Sequence, residues 1–150
     1  MKTTKRFDAA IHKLYTAFHS NQLNPACCKQ CAVGNILDKT DGWKHLSDSH
    51  GSLNLNYVGQ AHQSMGRKFN GYTPLELLQI EQAFLEACGF ETPLHHRHKK
   101  PSNPTDKDVL FQGLSAVITL LCNFDNIPNV MDYKRVFKSS EMAITKKIKA

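Results

Sequence analysis

The stretch TPLELLQIEQAFLEACGF, residues 73 to 90, decides the fold class. Thr73 stands where a helix N-cap is expected, Pro74 at the first helical position and Glu76 at the third. This combination is a capping box with a first turn preset by proline. The apolar residues that follow recur at helical spacing, and a glycine then ends the pattern. The stretch therefore predicts a helix from Pro74 to Cys88.

Apolar periodicity or capping residues predict further helices on both sides of this stretch. They run from Lys5 to Asn21, Asn24 to Leu37, Asn56 to Lys68, Asp106 to Asn123 and Val130 to Phe137. The expected N-caps include Thr3 or Thr4, Asn24 and Thr105. No convincing strand pattern is present. The sequence predicts an all-α fold, a single compact bundle of about five to six helices formed by residues 1–150.

Two segments differ in composition from the predicted helices. Residues 91–105 form a Pro/His-rich connector, and residues 139–150 form a basic tail. Basic residues in both segments contribute to the net charge of +6 and the pI of about 9.1. Basic ends of this kind are usually solvated, and an acidic protein is the partner they would suit. We do not expect a nucleic-acid partner.

No apolar run reaches the roughly 18 residues that span a bilayer, so we expect no membrane span. The first fifteen residues carry positive charge without an apolar block, which is not the pattern of a secretory signal. The cysteines number five, an odd count that favours reduced thiols over a disulfide framework. These features predict a cytoplasmic protein.

The segment NPACCKQCAVGN, residues 24 to 35, contains Cys27, Cys28 and Cys31. If this segment is helical, its three sulfurs fall within an arc of about 100° on one face. The first turn of a helix also stabilises thiolates, which are both metal ligands and nucleophiles. This arrangement would allow the sulfurs to bind one ion.

The spacing downstream completes a candidate zinc site. Cys28-x2-Cys31 is followed, after thirteen residues, by His45-x4-His50. Zinc takes four nitrogen or sulfur ligands in a tetrahedron, and these residues supply that number. We therefore name Cys28, Cys31, His45 and His50 as candidate metal ligands, with Cys27 as a further candidate.

Three interpretations of the cysteines stay open. They can pack as small apolar residues, because free cysteine is often buried. They can support thiol redox chemistry if one of them is exposed and has a low pKa. An iron–sulfur cluster is our second choice of cofactor after zinc. Cys88 or Cys122 could supply its fourth sulfur if their helices pack toward Cys27.

The segments NPACCKQCAVGNILD, WKHLSDSHGSLNLNYVG and GRKFNGYTPLELL resemble a small bacterial family over nearly the whole chain. Its members are often labelled as the F component of the sodium-translocating NADH–quinone reductase. That label implies electron transfer through flavin and a ferredoxin-type cluster with a C-x5-C-x2-C pattern. Cys28-x2-Cys31 matches the second half of the pattern, whereas Gln22 stands six residues before Cys28. The chain has no flavin or NAD motif, so we carry over no cofactor-binding residue.

The sequence thus predicts a small cytoplasmic protein with a Cys/His metal site, or a redox site, on an all-α scaffold. One alternative is a metal-free helical interaction module that meets its partner through basic ends. The family label implies a third, an electron-transfer component linked to NADH–quinone reductase. We find no diagnostic catalytic constellation and do not expect an enzyme.

Overall fold

The computed structural model describes residues 4–95 and 97–127. These residues form five α-helices, a 3₁₀ helix and two isolated antiparallel bridges, with no strand among them, so the predicted all-α fold is confirmed. The elements are α1 (Lys5–His19), α2 (Ala32–Ile36), the 3₁₀ helix (Gly42–Leu46), α3 (Tyr57–Ser64), α4 (Pro74–Ala87) and α5 (Lys107–Phe124). The predicted helix from Val130 to Phe137 and the basic tail lie outside the described residues.

α4 begins as its sequence predicts. The Thr73 side chain accepts a hydrogen bond from the Glu76 backbone, and the Glu76 carboxylate accepts one from the Thr73 backbone. The two reciprocal bonds satisfy amides that a helix start would otherwise leave unpaired. The helix ends at Ala87, one residue before the predicted end.

α5 packs along α4 and completes the centre of the core. Its N-cap is Asp106, whose side chain accepts from the Asp108 amide, so the prediction of Thr105 was one residue early. Gly113 lets the helices approach closely, because a Cβ there would lie 2.4 Å from the Cys88 sulfur and 2.7 Å from the Phe84 ring. Among the described helices, α5 alone is long and apolar enough to cross a membrane. The buried residues of α5 include Leu110, Leu114, Val117 and Leu121.

α1 is joined to both of these helices by one guanidinium group. Arg6 hydrogen-bonds to Asp125 after α5, to Glu76 in the first turn of α4 and to the backbone oxygen of Gly71. It also lies over the buried Tyr72 ring, 4.6 Å from its centroid. The helix starts after Thr4, one of its two expected caps.

The predicted helix from Asn24 to Leu37 is wrong over its first half. Residues 25–30 form turns, and helix begins only at Ala32. Cys31 has extended backbone angles and caps α2, with its sulfur accepting from the Gly34 amide at 3.3 Å. The chain before it folds back onto α2: a Cβ at Gly34 would lie 2.3 Å from the Cys28 carbonyl oxygen. We call residues 25–31 the cysteine turn.

α3 is shorter than predicted, and little of it is buried. It begins after Asn56, whose side chain accepts from the Gly59 amide, and it ends at Ser64. Its buried residue is Gly59, which rests against the backbone of Leu46, whereas Tyr57 is 88% exposed. Ala61 and Met65 are exposed as well, so this side of α3 faces solvent.

Candidate metal centre

Glu81 is the one charged residue that is fully buried in the part of the chain described by the structure. It lies in the middle of α4, between apolar residues that form the core. One carboxylate oxygen accepts from the Val33 amide at 3.3 Å, and the other lies 2.6 Å from His50 Nε2. Burying a carboxylate lowers the stability of the fold unless the carboxylate is paired, so the partners of Glu81 indicate which groups this part of the core can bind.

His50 reaches Glu81 from the loop that follows the 3₁₀ helix. Its side chain is 14% exposed, and its Nδ1 atom lies 4.0 Å from the Cys28 sulfur. The Trp43 indole packs edge-on against the imidazole with centroids 5.4 Å apart. The same indole donates its N–H to the Cys28 carbonyl oxygen at 3.0 Å. Trp43 therefore holds the imidazole and the cysteine turn in a common arrangement.

Three potential ligand atoms meet at this point. The Cys31 sulfur, an imidazole nitrogen of His50 and a carboxylate oxygen of Glu81 all lie within 4.8 Å of one another. We call these three residues the converging set. Cys31 and Glu81 are fully buried, and His50 is partly exposed. The set joins the start of α2, the loop after the 3₁₀ helix and the centre of α4.

Only two of the five residues predicted as ligands belong to the converging set. Cys31 and His50 belong to the converging set, and Cys28 lies beside His50 without belonging to it. His45 is exposed on the 3₁₀ helix, and Cys27 is half-buried in the cysteine turn; neither belongs to the set. The common helical face on which the three sulfurs were expected does not exist, because the cysteine turn is not helical.

The two remaining cysteines lie in the helical core and do not belong to this set. Cys88 contacts Gly113 of α5, and its thiol donates to the Val109 carbonyl oxygen. Burial raises the pKa of the Cys88 thiol to about 12, and the negative charge of Glu81 adds to the effect. Cys122 is also buried. Both are core residues, which agrees with the interpretation that cysteines pack here as small apolar residues.

Sequence reasoning missed Glu81, although a signal for it was present. Leu77, Phe84 and Cys88 mark the buried face of α4 at steps of seven and four residues. Glu81 stands four residues after Leu77 and three before Phe84, on the same face. A carboxylate in the middle of a buried stripe is a candidate for pairing or for metal binding.

The two nearby thiols are held in their neutral form. Burial raises the pKa of Cys31 well above its ordinary value, and the Glu81 charge raises it further, against the opposing Gly34 amide. Burial and the Glu81 charge also raise the pKa of Cys28, whereas Lys44 lowers it. A cation bound among these groups would offset the negative charge that keeps the thiols protonated.

A cavity of about 220 Å³ opens beside the centre. Its lining includes Cys28, Trp43, Lys44, Ser47, Asp48 and His50. His50 thus belongs both to the converging set and to the cavity wall. Comparisons with protein-family models, curated proteins and solved structures found no match to this chain.

Proposed function

We propose that this protein binds one transition-metal ion, zinc in the first instance, through Cys31, His50 and Glu81. The observation that carries the proposal is the approach of sulfur, imidazole nitrogen and carboxylate oxygen to within 4.8 Å of one another in a buried region. These are the three donor types that zinc takes in proteins.

The donor separations range from 2.6 Å for His50 and Glu81 to at most 4.8 Å within the set, which brackets what an ion requires. Zinc lies about 2.3 Å from sulfur and about 2.0–2.2 Å from nitrogen or oxygen, so tetrahedral ligand atoms are about 3.2–3.8 Å apart. The separation of 2.6 Å between His50 Nε2 and Glu81 Oε2 is that of a hydrogen bond. An ion that replaces the shared proton would push these two atoms apart by roughly 0.6–1 Å.

A thiol nucleophile is the competing use of these groups. Cys28, His50 and Glu81 lie in the order thiol, imidazole and carboxylate, which resembles the series in cysteine-dependent enzymes. Two observations disfavour this use. The pKa of Cys28 is raised, whereas a nucleophilic cysteine needs a lowered one. The series also gives no role to Cys31, which lies in the converging set.

The choice of zinc over an iron–sulfur cluster follows from the donors. Such clusters are held mainly by several cysteine thiolates, whereas the converging set contributes one sulfur. All five cysteines lie among the described residues and none forms a disulfide, which suits the reducing cytoplasm that we propose as the location. The bound ion would tie together the cysteine turn, the loop of His50 and α4, and so stabilise the fold.

Elemental analysis of protein purified from zinc-supplemented medium, after dialysis, tests the proposal. We expect about one equivalent of zinc in the wild type and a loss of most of it in Cys31→Ser and Glu81→Gln. Cys27→Ser and His45→Ala are matched controls, because each alters a neighbouring donor outside the converging set. Wild-type protein without metal would overturn the proposal, as would equal losses in the controls.

A further inference from the structure

α3 presents an apolar stripe to solvent. At about 100° per residue, Tyr57, Val58, Ala61 and Met65 fall within an arc of about 100° on one side of this helix. All four are exposed, Tyr57 by 88%, Met65 by 66% and Val58 by 47%. The apolar side of a helix in a globular protein ordinarily packs on the core, so this orientation is unusual. We call these four residues the α3 stripe.

Contacts on the other side of α3 fix this orientation. Gly59 rests so closely on the 3₁₀ helix that a Cβ there would lie 2.2 Å from the Leu46 carbonyl oxygen. The Asn56 side chain, which caps α3, also donates to the His45 carbonyl oxygen at 2.8 Å. Turning the stripe inward would break both contacts, so a further surface is needed to cover it.

The α3 stripe lies in a part of the chain that has no formal charge. Residues 49–66 contain no Asp, Glu, Lys or Arg, whereas the whole chain has a net charge of +6. Two copies of a basic protein repel each other where their charged surfaces meet. An uncharged apolar stripe avoids this repulsion when it meets an identical stripe, and it offers no charge that an acidic partner could pair with. Charge therefore favours a second copy of this chain as the occupant.

The composition and size of the stripe also suit a contact between copies. Aromatic residues and Met are enriched in protein interfaces, and charged residues are depleted at their centres. Tyr57 alone can bury roughly 150–250 Å². Four side chains nevertheless offer less than the roughly 800 Å² per partner of a standard interface, so the stripe predicts a weak dimer that depends on protein concentration.

We infer that two copies of this chain associate through their α3 stripes about a twofold axis. In such a contact both copies contribute the same residues, so Tyr57 and Met65 of one copy pack against the α3 stripe of the other. The inference is independent of the proposed metal site, because no residue of the stripe belongs to the converging set.

Sedimentation equilibrium of the full chain from about 1 µM to 1 mM tests the inference. We expect the apparent mass to rise with concentration from 16.9 kDa towards twice that value. Tyr57→Lys/Met65→Lys should keep the protein at the monomer mass, because it places like charges on both stripes. Gln112→Lys/Asn123→Lys is the matched control: it adds the same charge at exposed positions of α5 and should keep the dimer. Circular dichroism checks that both variants are folded.

Three results would overturn the inference. The first is a wild type that stays at 16.9 kDa over the whole concentration range. The second is a dimer that persists in Tyr57→Lys/Met65→Lys, because the copies would then meet through another surface. The third is a monomer in both double variants, because added charge anywhere on the protein would then be enough to prevent association.

Discussion

His50 Nε2 lies 2.6 Å from Oε2 of Glu81, whose side chain has no exposed surface. A carboxylate in such a place must have a partner, because removing one side of a buried pair leaves an uncompensated charge. The imidazole is that partner in the metal-free protein. In our proposal the positive charge of the ion also compensates the Glu81 carboxylate. The contact therefore links the stability of α4 to the chemistry of the centre.

The first prediction concerns this pair without metal. His50→Ala should lower the free energy of unfolding of the metal-free protein by about 3 kcal/mol or more, because Glu81 loses its partner. Urea denaturation measures the change. His45→Ala serves as the control and should stay within about 0.5 kcal/mol of the wild type, since His45 is exposed. Equal stabilities of the two variants would contradict the role of the pair.

The second prediction concerns the packing of the cysteine turn on α2. Gly34→Ala should destabilise the protein by about 1–3 kcal/mol, because the new Cβ would meet the Cys28 carbonyl oxygen and displace the turn. Gly42→Ala is the matched control, since a Cβ there meets nothing within 4 Å. Thermal or urea unfolding compares them. A Gly34→Ala protein as stable as Gly42→Ala would show that the turn does not lie on α2.

The third prediction concerns how stability depends on pH through the ion pair of Arg6 in α1 and Asp125 at the end of α5. Burial raises the pKa of Asp125, but hydrogen bonds from Arg6 and Thr4 outweigh it and leave the pKa below its usual value. A lowered folded-state pKa stabilises the protein above the unfolded value of about 3.9, and this stabilisation is lost as the pH falls through the folded value.

Asp125→Asn should therefore cost about 1–3 kcal/mol at pH 7, and the difference from the wild type should shrink as the pH falls below about 4. Urea midpoints measured across this range test the sign. A difference that grows on acidification would mean that the Asp125 carboxylate is not stabilised in the folded state.

The fourth prediction uses Trp43, the one tryptophan of the chain, as a reporter. Its indole contacts the His50 ring, so zinc binding at His50 should change its fluorescence and saturate at about one equivalent. His50→Gln should abolish the change, and His45→Ala should keep it. If zinc still quenches or enhances the fluorescence of His50→Gln in the same way, the ion binds elsewhere.

The helices that could be predicted are those whose signals are local. The capping box of Thr73 and Glu76 and the apolar spacing of α4 depend on neighbours within one or two turns, and the structure shows both. The prediction for the cysteine turn failed because the conformation of this segment depends on residues distant in sequence. Asn24 and Pro25 can start a helix, but the chain reverses there, and its place is set by Gly34 and by the indole of Trp43.

The candidate centre could likewise be predicted only in part. The cysteine and histidine spacing directed attention to Cys31 and His50, which the structure brings together. It could not show that His50 turns one nitrogen to Glu81, because that contact joins residues 31 positions apart in sequence. The choice between His45 and His50 depends on which of them the loop carries inward, and spacing alone does not contain that information.

X-ray absorption at the zinc edge of the purified wild-type protein tests the central claim most directly. Our account predicts a first shell that mixes sulfur at about 2.3 Å with nitrogen and oxygen at about 2.0–2.2 Å, with one sulfur per zinc. The sulfur should disappear in Cys31→Ser and persist in Cys27→Ser. A shell of nitrogen and oxygen alone in the wild type would contradict the account, because zinc would then be bound away from Cys31.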